Sequence, residues 1–217
     1  MDNKYVNYYQ KSLLEIEKIK KEGLRPKLAL HACCGPCSTF PLEFFSPIFD
    51  LYILYPNSNI YPKSEYSRRL DELKRYVEIF NKEHEQNVKV IEFEYDNEEY
   101  TKKLAIYKNE REGGERCKLC YRLRMDEAYA YADREGFDYF CTVMTISRQK
   151  NSQILNQIGF ELSSKYKTKY FFSDFKKKKG IDRAIELRKE YHLYNQEYCG
   201  CIYSYKEYLS KKNSERL

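Results

Sequence analysis

The sequence predicts an α/β fold in which a parallel sheet carries helices on both faces. Two observations support this prediction: five short apolar runs recur along the chain, and segments with helical periodicity lie between them. Strands that alternate with helices of this length are typical of βαβ units, which build parallel sheets. In such folds the loops that follow the strands meet at one edge of the sheet, where ligands bind.

The predicted elements follow one another along most of the chain. The strands cover residues 27–32, 49–55, 88–95, 139–146 and 170–175. The clearest helical patterns cover residues 63–84, 119–135 and 181–191. We expect an N-terminal helical extension over residues 1–23 and a C-terminal helix and tail over residues 202–217. Because no linker rich in Gly, Pro or Ser interrupts the chain, a single α/β catalytic domain is expected over residues 1–217.

Composition limits the possible partners and the compartment. The chain has 217 residues, enough to bury a core without disulfides, and its formal charge of +6 is compatible with nucleic-acid binding without requiring it. Residues 1–23 are charged and rich in tyrosine, with no apolar stretch of the kind that a signal peptide or a membrane span needs. We therefore expect a cytoplasmic protein with no membrane partner.

Eight cysteines are the most informative residues of the chain. Disulfides are not expected in a reducing compartment, so clustered cysteines indicate metal or redox chemistry. Seven of them form three clusters: Cys33, Cys34 and Cys37; Cys117 and Cys120; Cys199 and Cys201. The eighth, Cys141, lies alone in a predicted strand and is expected to be a small buried residue.

The surroundings of the clusters suit metal binding. The first cluster ends a predicted strand, and the second opens a predicted helix, where the helix terminus and the neighbouring Arg116, Lys118 and Arg122 favour thiolates. Cys199 and Cys201 can serve one metal only if Gly200 turns the chain, and the alternative is that they serve two adjacent metals. Four thiolates complete a [4Fe–4S] cluster and leave three over. Two cysteine pairs also suit zinc, so a zinc-stabilised RNA-binding module is an alternative.

Five ordered motifs make the chain recognisable. They are Leu30-His-Ala-Cys-Cys-Gly-Pro-Cys37; Tyr55-Pro-Asn-Ser-Asn-Ile60 with Pro62 and Glu65-Tyr-Ser-Arg-Arg69; Arg116-Cys-x-x-Cys-Tyr-x-x-Arg124; Thr142 to Lys150; and Tyr198-Cys-Gly-Cys201. Together they resemble the QueH family of epoxyqueuosine reductases over about residues 27–205.

This resemblance implies an activity, a fold and a set of cofactors. The implied reaction reduces epoxyqueuosine to queuosine at the wobble position of tRNA, the last step of queuosine biosynthesis. The implied cofactors are a [4Fe–4S] cluster and an adjacent mononuclear iron, without cobalamin, supplied with electrons by an external low-potential donor. The implied fold is similar to that of adenine nucleotide alpha hydrolases and PP-loop enzymes, which is HUP-like and Rossmann-like.

An iron–sulfur tRNA thiolase of the PP-loop type is the alternative enzyme with this fold and metal. Such an enzyme activates the base with ATP through an SGGxDS-like loop after the first strand. The chain carries the cysteine loop of residues 33–37 at that place. ATP is therefore not expected as a partner.

The resemblance also suggests roles for individual residues. We expect the cluster at Cys34, Cys117, Cys120 and one of Cys199 or Cys201, with Cys33, Cys37 and the remaining cysteine at the iron. Cys33, Cys37 and Tyr198 are the expected catalytic residues, and Tyr198, a water or a free thiol supplies a proton. The candidate substrate-binding residues are Asn57, Asn59, Glu65, Arg69, Arg116, Arg124, Ser147 and Lys150.

Plainer interpretations exist for several of these residues. The asparagines can make a simple turn, and Glu65 and Arg69 can form an ordinary ion pair on a helix face. His31, at the end of a buried strand, is expected to be a hydrogen-bonded core residue rather than a ligand. The lysine run of residues 176–179 is expected to be a solvated loop, with contact to tRNA as the alternative.

Overall fold

The computed structural model describes residues 5–214. Its sheet has five parallel strands in the order β3-β2-β1-β4-β5, which confirms the predicted α/β class. The strands are β1 (Lys27–His31), β2 (Asp50–Tyr55), β3 (Lys89–Glu92), β4 (Tyr139–Thr142) and β5 (Lys169–Tyr170). The helices are α1 (Tyr8–Lys21), α2 (Gly35–Phe45), α3 (Lys63–Glu83), α4 (Asn97–Leu104), α5 (Glu115–Arg134), α6 (Ser152–Ser163), α7 (Gly180–Glu190) and α8 (Ile202–Ser214).

Alternate residues of the central strands enter two different cores, as a sheet covered on both faces requires. On one face Leu28 and Leu30 of β1 pack with apolar residues of α2 and α3. On the other face Ala29 packs with Met125 and Leu155, which belong to α5 and α6. All three strand residues are fully buried, so burial of both faces stabilises the sheet.

Helix α1 belongs to the same packed body. Its Ile16 and Ile19 are buried in the core cluster that contains Leu28 and Leu30. Asn7 caps the N-terminus of this helix, because its side chain accepts a hydrogen bond from the backbone N–H of Gln10. Residues 1–4 and 215–217 of the two predicted terminal segments lie outside the described residues. None of the helices described has the length and apolar character that a membrane crossing requires.

All five strands are shorter than the apolar runs that predicted them, by one residue at β1 and β2 and by four at β3, β4 and β5. β4 ends at Thr142, whose side chain accepts from the Met144 N–H and caps a short 3₁₀ turn over Val143–Ile146. β5 pairs with β4 only at Lys169 and Tyr170. The buried residues that follow β4 form this 3₁₀ turn and those that follow β5 lie in a loop, because burial in the core does not require strand pairing.

The strand order determines where a ligand can enter. β1 pairs with β2 on one side and with β4 on the other, so the connections turn in opposite directions from β1. The carboxyl ends of β1 and β4 therefore border a crevice at the topological switch point of the sheet. The first cysteine cluster follows β1 directly.

Candidate metal centre

The first three cysteines form a compact group of sulfurs. Cys33, Cys34 and Cys37, hereafter the three-thiol group, have Sγ atoms that all lie within 4.8 Å of one another. Cys34 is the N-cap residue of α2 in an extended conformation, so the turn from β1 into α2 directs the three side chains together. Ser38 fixes this turn by donating from its hydroxyl to the Cys34 carbonyl at 2.8 Å.

Without a bound cation, the three thiols cannot all lose their protons. Hydrogen bonds from the Cys34 and Cys37 thiols lower the pKa of Cys33, whereas the hydrogen bond to Cys33 raises the pKa of Cys34 to about 12. The pKa of Cys37 is raised by its hydrogen bonds to the same two residues. One thiolate is thus stabilised by two neutral thiols. A soft cation would release the remaining protons, because thiolates are the form that binds such metals.

The other four cysteines of the site form a second group. Cys117 and Cys120 lie in the first two turns of α5, and Cys199 and Cys201 lie in the loop before α8. We call them the four-thiol group. The pKa of Cys117 is raised to about 11, mainly by burial and in smaller part by the charges of Cys199, Cys120 and Cys201. Burial also raises the pKa of Cys120, again with contributions from Cys199 and Cys201. The four sulfurs are therefore within electrostatic reach of one another.

Neutral donors hold individual sulfurs of the four-thiol group. The Gly113 N–H donates to Cys117 Sγ at 3.2 Å. The hydroxyl of Tyr100 lies 3.5 Å from Cys120 Sγ and 2.9 Å from the Cys120 carbonyl. The Ser204 N–H donates to Cys201 Sγ at 3.4 Å. These contacts orient the sulfurs before any metal binds.

Gly200 turns the chain between Cys199 and Cys201, as the sequence requires. Its φ is 128°, a conformation that side chains disfavour, and its carbonyl accepts from the Tyr61 N–H at 2.7 Å. A Cβ atom at this position would lie 3.0 Å from Nη1 of Arg69. Backbone conformation and close approach together require glycine here.

Arg69 lies beneath this turn. It is buried, pairs with Glu65 at 2.7 Å, and donates to the carbonyls of Tyr198 and Cys199 at 2.9 and 3.0 Å. Tyr194 donates from its hydroxyl to the carboxylate of Glu65 at 3.1 Å. The sequence predicted Glu65 and Arg69 as substrate-binding residues. Their contacts in the structure hold the cysteine loop to α3.

Arg124 connects the two thiol groups. It is buried on the same face of α5 as Cys117 and Cys120, and the charges of Cys120, Cys33 and Cys199 surround it. One Nη atom donates to Asn57 Oδ1 at 3.3 Å, and the Asn57 amide donates to the Ala32 carbonyl at 2.8 Å. Asn57 thus attaches Arg124 to the backbone just before the three-thiol group. The Arg124 Nε atom has no partner among the described residues.

Lys150 is the second cation between the groups. Burial lowers its pKa, but the thiolates of Cys199, Cys33 and Cys37 outweigh burial, so the net shift is upward. No carboxylate pairs with Lys150 within residues 5–214. In the described part of the chain neither Arg124 nor Lys150 pairs with a carboxylate, so the thiols are the nearby groups that can carry the compensating negative charge.

The cations that flank the second cluster in sequence do not face the thiols. Lys118 pairs with Glu115 and Arg122 pairs with Glu161, both at the surface of α5. Arg116 is buried, but it donates to the carbonyls of Lys108 and Glu110. The helix period explains the difference, because position 124 shares the face of positions 117 and 120 whereas positions 118 and 122 do not.

Of three other predicted site residues, Tyr198 and Ser147 have side-chain partners within the protein. Tyr198 donates from its hydroxyl to the Tyr61 carbonyl at 2.6 Å. Asn59 is buried, and its Oδ1 atom has no partner in the described part of the chain. Ser147 is half-buried at the cavity and donates to Gln149 Oε1 at 3.2 Å.

His31 and Cys141 belong to the core, as the sequence predicts. His31 is fully buried and its Nδ1 atom lies 2.9 Å from the Thr142 hydroxyl. Burial lowers the pKa of His31 to about 3, so the imidazole is neutral. Cys141 is fully buried in β4, with its sulfur 3.4 Å from the Ser173 hydroxyl.

A cavity of about 520 Å³ opens onto the thiols. Cys33, Cys37 and Cys199 line it together with Lys150, so sulfurs of both groups and one cation face the same space. Its outer part is lined by residues of the loop after β4, of α7 and of the following loop: Ser147, Arg148, Gln149, Ile181, Ala184, Ile185, Arg188 and Asn195. A ligand in this cavity would therefore contact the thiols at its inner end.

Gln196 is a site residue that the sequence did not predict. Its Nε2 atom donates to Cys34 Sγ at 3.3 Å and lies 4.0 Å from Cys37 Sγ. The sequence separates Gln196 from Cys34 widely, and its closeness to Cys199 along the chain was the only available signal. Tyr100 was missed for the same reason, because only folding brings α4 against α5.

Thiol chemistry and charge both fit a bound soft metal. Seven sulfurs converge from three segments, and cysteine thiolates select iron–sulfur clusters, iron and zinc over magnesium or calcium. Arg124 and Lys150 supply positive charge that offsets several thiolates. The three-thiol group also faces a cavity, which is typical of a metal site that keeps a position open for a substrate.

The fold and the site define a doubly wound α/β protein with a cysteine cluster that could bind a metal at the switch point of its sheet. Residues 28–207 match the family model described as "Epoxyqueuosine reductase QueH". The chain therefore belongs to the QueH family of epoxyqueuosine reductases, which are oxidoreductases.

Curated relatives agree with this match. The chain is 40% identical over 205 residues to epoxyqueuosine reductase QueH of Streptococcus pyogenes, which covers 94% of this chain and 80% of the relative. It is 40% identical over 206 residues to the protein of the same name in Staphylococcus aureus, with 94% and 86% covered. The QueH protein of Thermotoga maritima is 30% identical over 188 residues, with 84% and 92% covered.

Proposed function

We propose that this chain reduces epoxyqueuosine to queuosine in tRNA, with iron held by its cysteines. The observation that carries the proposal is the approach of the Cys33, Cys34 and Cys37 sulfurs to within 4.8 Å beside a cavity. The reaction takes two electrons and two protons, releases the epoxide oxygen as water and leaves an alkene. A site for it must deliver electrons and stabilise negative charge on that oxygen.

The spacing of the sulfurs supports a division of the metals. Three thiolates about 2.3 Å from a tetrahedral ion lie roughly 3.8 Å apart, and the Cys33 and Cys34 sulfurs are 4.0 Å apart. We therefore assign a mononuclear iron to the three-thiol group and a [4Fe–4S] cluster to the four-thiol group. This differs from the division expected from the sequence, which gave Cys34 to the cluster. When bound, iron in these forms supplies single electrons and Lewis acidity.

The residues of the chain itself supply charge and protons. Lys150 faces the cavity beside Cys33 and Cys37, and we assign it the stabilisation of the oxide that develops as the epoxide opens. Tyr198 is a candidate proton donor at the same cavity. Its hydroxyl donates to the Tyr61 carbonyl, so proton transfer requires this hydrogen bond to open.

Basic residues around the cavity support tRNA as the substrate. Arg148 and Arg188 line its outer part, and exposed lysines 177–179 precede Ile181, which also lines it. Lys176 anchors the run, because its Nζ donates to the Thr145 carbonyl at 2.9 Å. We call Arg148, Lys177, Lys178, Lys179 and Arg188 the basic rim. Cations in this arrangement can bind phosphates while the modified nucleoside enters the cavity.

The remaining partners follow from the reaction. Two electrons must come from an external low-potential donor, since no residue of the site is consumed. ATP has no step in this reaction. A tRNA substrate also supports the proposal that this protein acts in the cytoplasm.

The decisive experiment is turnover under anaerobic conditions. We expect the iron-loaded chain, given epoxyqueuosine-containing tRNA and a low-potential reductant, to yield a nucleoside lighter by one oxygen, measured by mass spectrometry. Cys33→Ala should abolish turnover, and Cys141→Ala should retain it, because Cys141 lies in β4 and contacts Ser173 instead of the site. Unchanged nucleoside with intact metal centres, or a colourless protein with stoichiometric zinc, would contradict the proposal.

A further inference from the structure

Gln196 contacts the three-thiol group from outside the cysteine motifs. Its amide Nε2 donates to Cys34 Sγ at 3.3 Å and is 4.0 Å from Cys37 Sγ. Among residues 5–214, no other side-chain nitrogen donates a hydrogen bond to the Cys34 or Cys37 sulfur. Cys34 is also the most buried member of the group, at 1% exposure, and does not line the cavity. Its sulfur is therefore oriented by the protein and not by a ligand in the cavity.

The loop that carries Gln196 is fixed at both ends. On one side, the Tyr194 N–H donates to Glu72 Oε1 at 2.6 Å, and the guanidinium of Arg68 lies 3.5 Å from the centre of the Tyr194 ring. On the other side, Arg69 donates to the carbonyls of Tyr198 and Cys199. All of these contacts come from α3, so Gln196 is presented to the sulfurs by a rigid element.

The orientation of the Gln196 amide carries a cost in free energy. Its Oε1 atom is buried and accepts from no group in the described part of the chain. An unsatisfied buried acceptor destabilises the fold. The conformation is maintained all the same, which indicates that the contact between Nε2 and sulfur serves the site.

We propose that Gln196 is a positioning residue of the three-thiol group, whose amide fixes the Cys34 sulfur in the orientation that a bound metal requires. This inference rests on the metal site of the proposed function. Groups that hydrogen-bond to metal ligands orient them, and their loss typically lowers metal affinity about 10–100-fold. Gln196 lies in the same loop as Cys199, so this loop contributes to both thiol groups.

Titration of the metal-free chain with Co²⁺ tests the inference without turnover. Absorption of thiolate-bound Co²⁺ reports both the affinity and the ligand set. The part of the Co²⁺ binding that is lost in Cys33→Ala is the part that belongs to the three-thiol group. We expect Gln196→Leu to weaken this component about tenfold or more and to shift its charge-transfer band. Gln196→Glu, which keeps the size but replaces the donor with a carboxylate oxygen, should weaken it as well.

The matched control is Gln157→Leu. Gln157 is exposed on α6 and donates to Glu161 at 3.0 Å, away from the thiols, so its replacement should leave Co²⁺ binding unchanged. In the iron-loaded chain, Gln196→Leu should also move the reduction potential to more negative values, because a hydrogen bond to a thiolate stabilises the reduced, more negative state. Thermal denaturation of both Gln196 variants verifies that they are folded.

The outcomes separate this inference from the proposed function. Equal affinity and an unchanged spectrum in folded Gln196→Leu and Gln196→Glu would overturn the role of Gln196 and leave the metal site intact. Absence of a Cys33-dependent component in the unchanged chain would overturn the metal site itself, and with it this inference. Weakened binding in both Gln196 variants but not in Gln157→Leu would support it.

Discussion

Arg69 donates a hydrogen bond to the main-chain carbonyl of Cys199 at 3.0 Å, across more than half of the chain. The same guanidinium binds the Tyr198 carbonyl and the carboxylate of Glu65. A buried arginine thereby determines the position of a segment that carries two thiols.

Arg69→Met should destabilise the protein and reduce its iron content. The substitution leaves Glu65 buried without its cation, which typically costs about 3–5 kcal/mol, and it frees the loop at Tyr198 and Cys199. Anaerobic denaturant titration and iron and sulfide analysis measure both effects. Arg75→Met is the matched control on α3, where a half-exposed ion pair with Glu72 predicts a loss of about 1 kcal/mol or less. Equal effects of the two substitutions would contradict the assigned role.

Gly200→Ala should remove the metal of the four-thiol group. A φ of 128° and a Cβ contact of 3.0 Å with Arg69 both disfavour a side chain, and such a backbone conformation costs about 1–3 kcal/mol. Gly23→Ala is the control, because Gly23 also has a positive φ but its added Cβ meets no atom within 4 Å. We expect acid-labile sulfide to fall only in Gly200→Ala. Retention of full sulfide in that variant would show that the turn tolerates a side chain.

Cysteine substitutions should separate the two metal sites. Cys117→Ala should lose the inorganic sulfide and the broad visible absorbance of a cluster, since Cys117 belongs to the four-thiol group. Cys33→Ala should keep the sulfide and lose only the mononuclear iron. Metal and sulfide analysis of anaerobically purified protein distinguishes these results. If Cys33→Ala also lost its sulfide, the division into three and four thiols would be wrong.

Neutralising part of the basic rim should weaken tRNA binding in a salt-dependent way. Each phosphate contact contributes about 1 to the slope of log affinity against log salt. The double variant Lys178→Gln and Lys179→Gln should lower this slope by up to about 2, measured by filter binding at several salt concentrations. Lys20→Gln with Lys21→Gln, at the far end of α1, makes the same charge change and should not alter the slope. An unchanged slope in the first variant would exclude its lysines from the tRNA contact.

The sequence predicts the fold well where burial and periodicity agree. Apolar runs located all five strands, and the helix over 63–84 agrees with α3 to within one residue. Strand ends were less predictable, since the buried residues after Thr142 form a 3₁₀ turn and those after Tyr170 lie in a loop. An apolar run indicates that a segment is buried. The length over which that segment pairs as a strand depends also on the length of the neighbouring strand.

The sequence predicted the cysteine groups of the site better than their supporting contacts, and the assignment of these cysteines as metal ligands stays a prediction. Spacing identified seven cysteines, because each cluster is local in sequence. Of the two cations near the thiols, Lys150 follows a strand end, and Arg124 is favoured over Lys118 and Arg122 by the helix period. Gln196 and Tyr100 contact sulfurs of distant segments, and nothing in their own neighbourhoods indicates that contact.

The spread of the cysteines over three segments has a consequence for biogenesis. Cys33 leaves the ribosome long before Cys199 and Cys201, so the sulfurs of the four-thiol group coexist only after α7 has been synthesised. A metal held by all four thiols could be inserted only at that late stage, and until then the earlier cysteines lack their partner thiols. Oxygen or a competing metal present in that interval would act on a nascent chain and not on the finished enzyme.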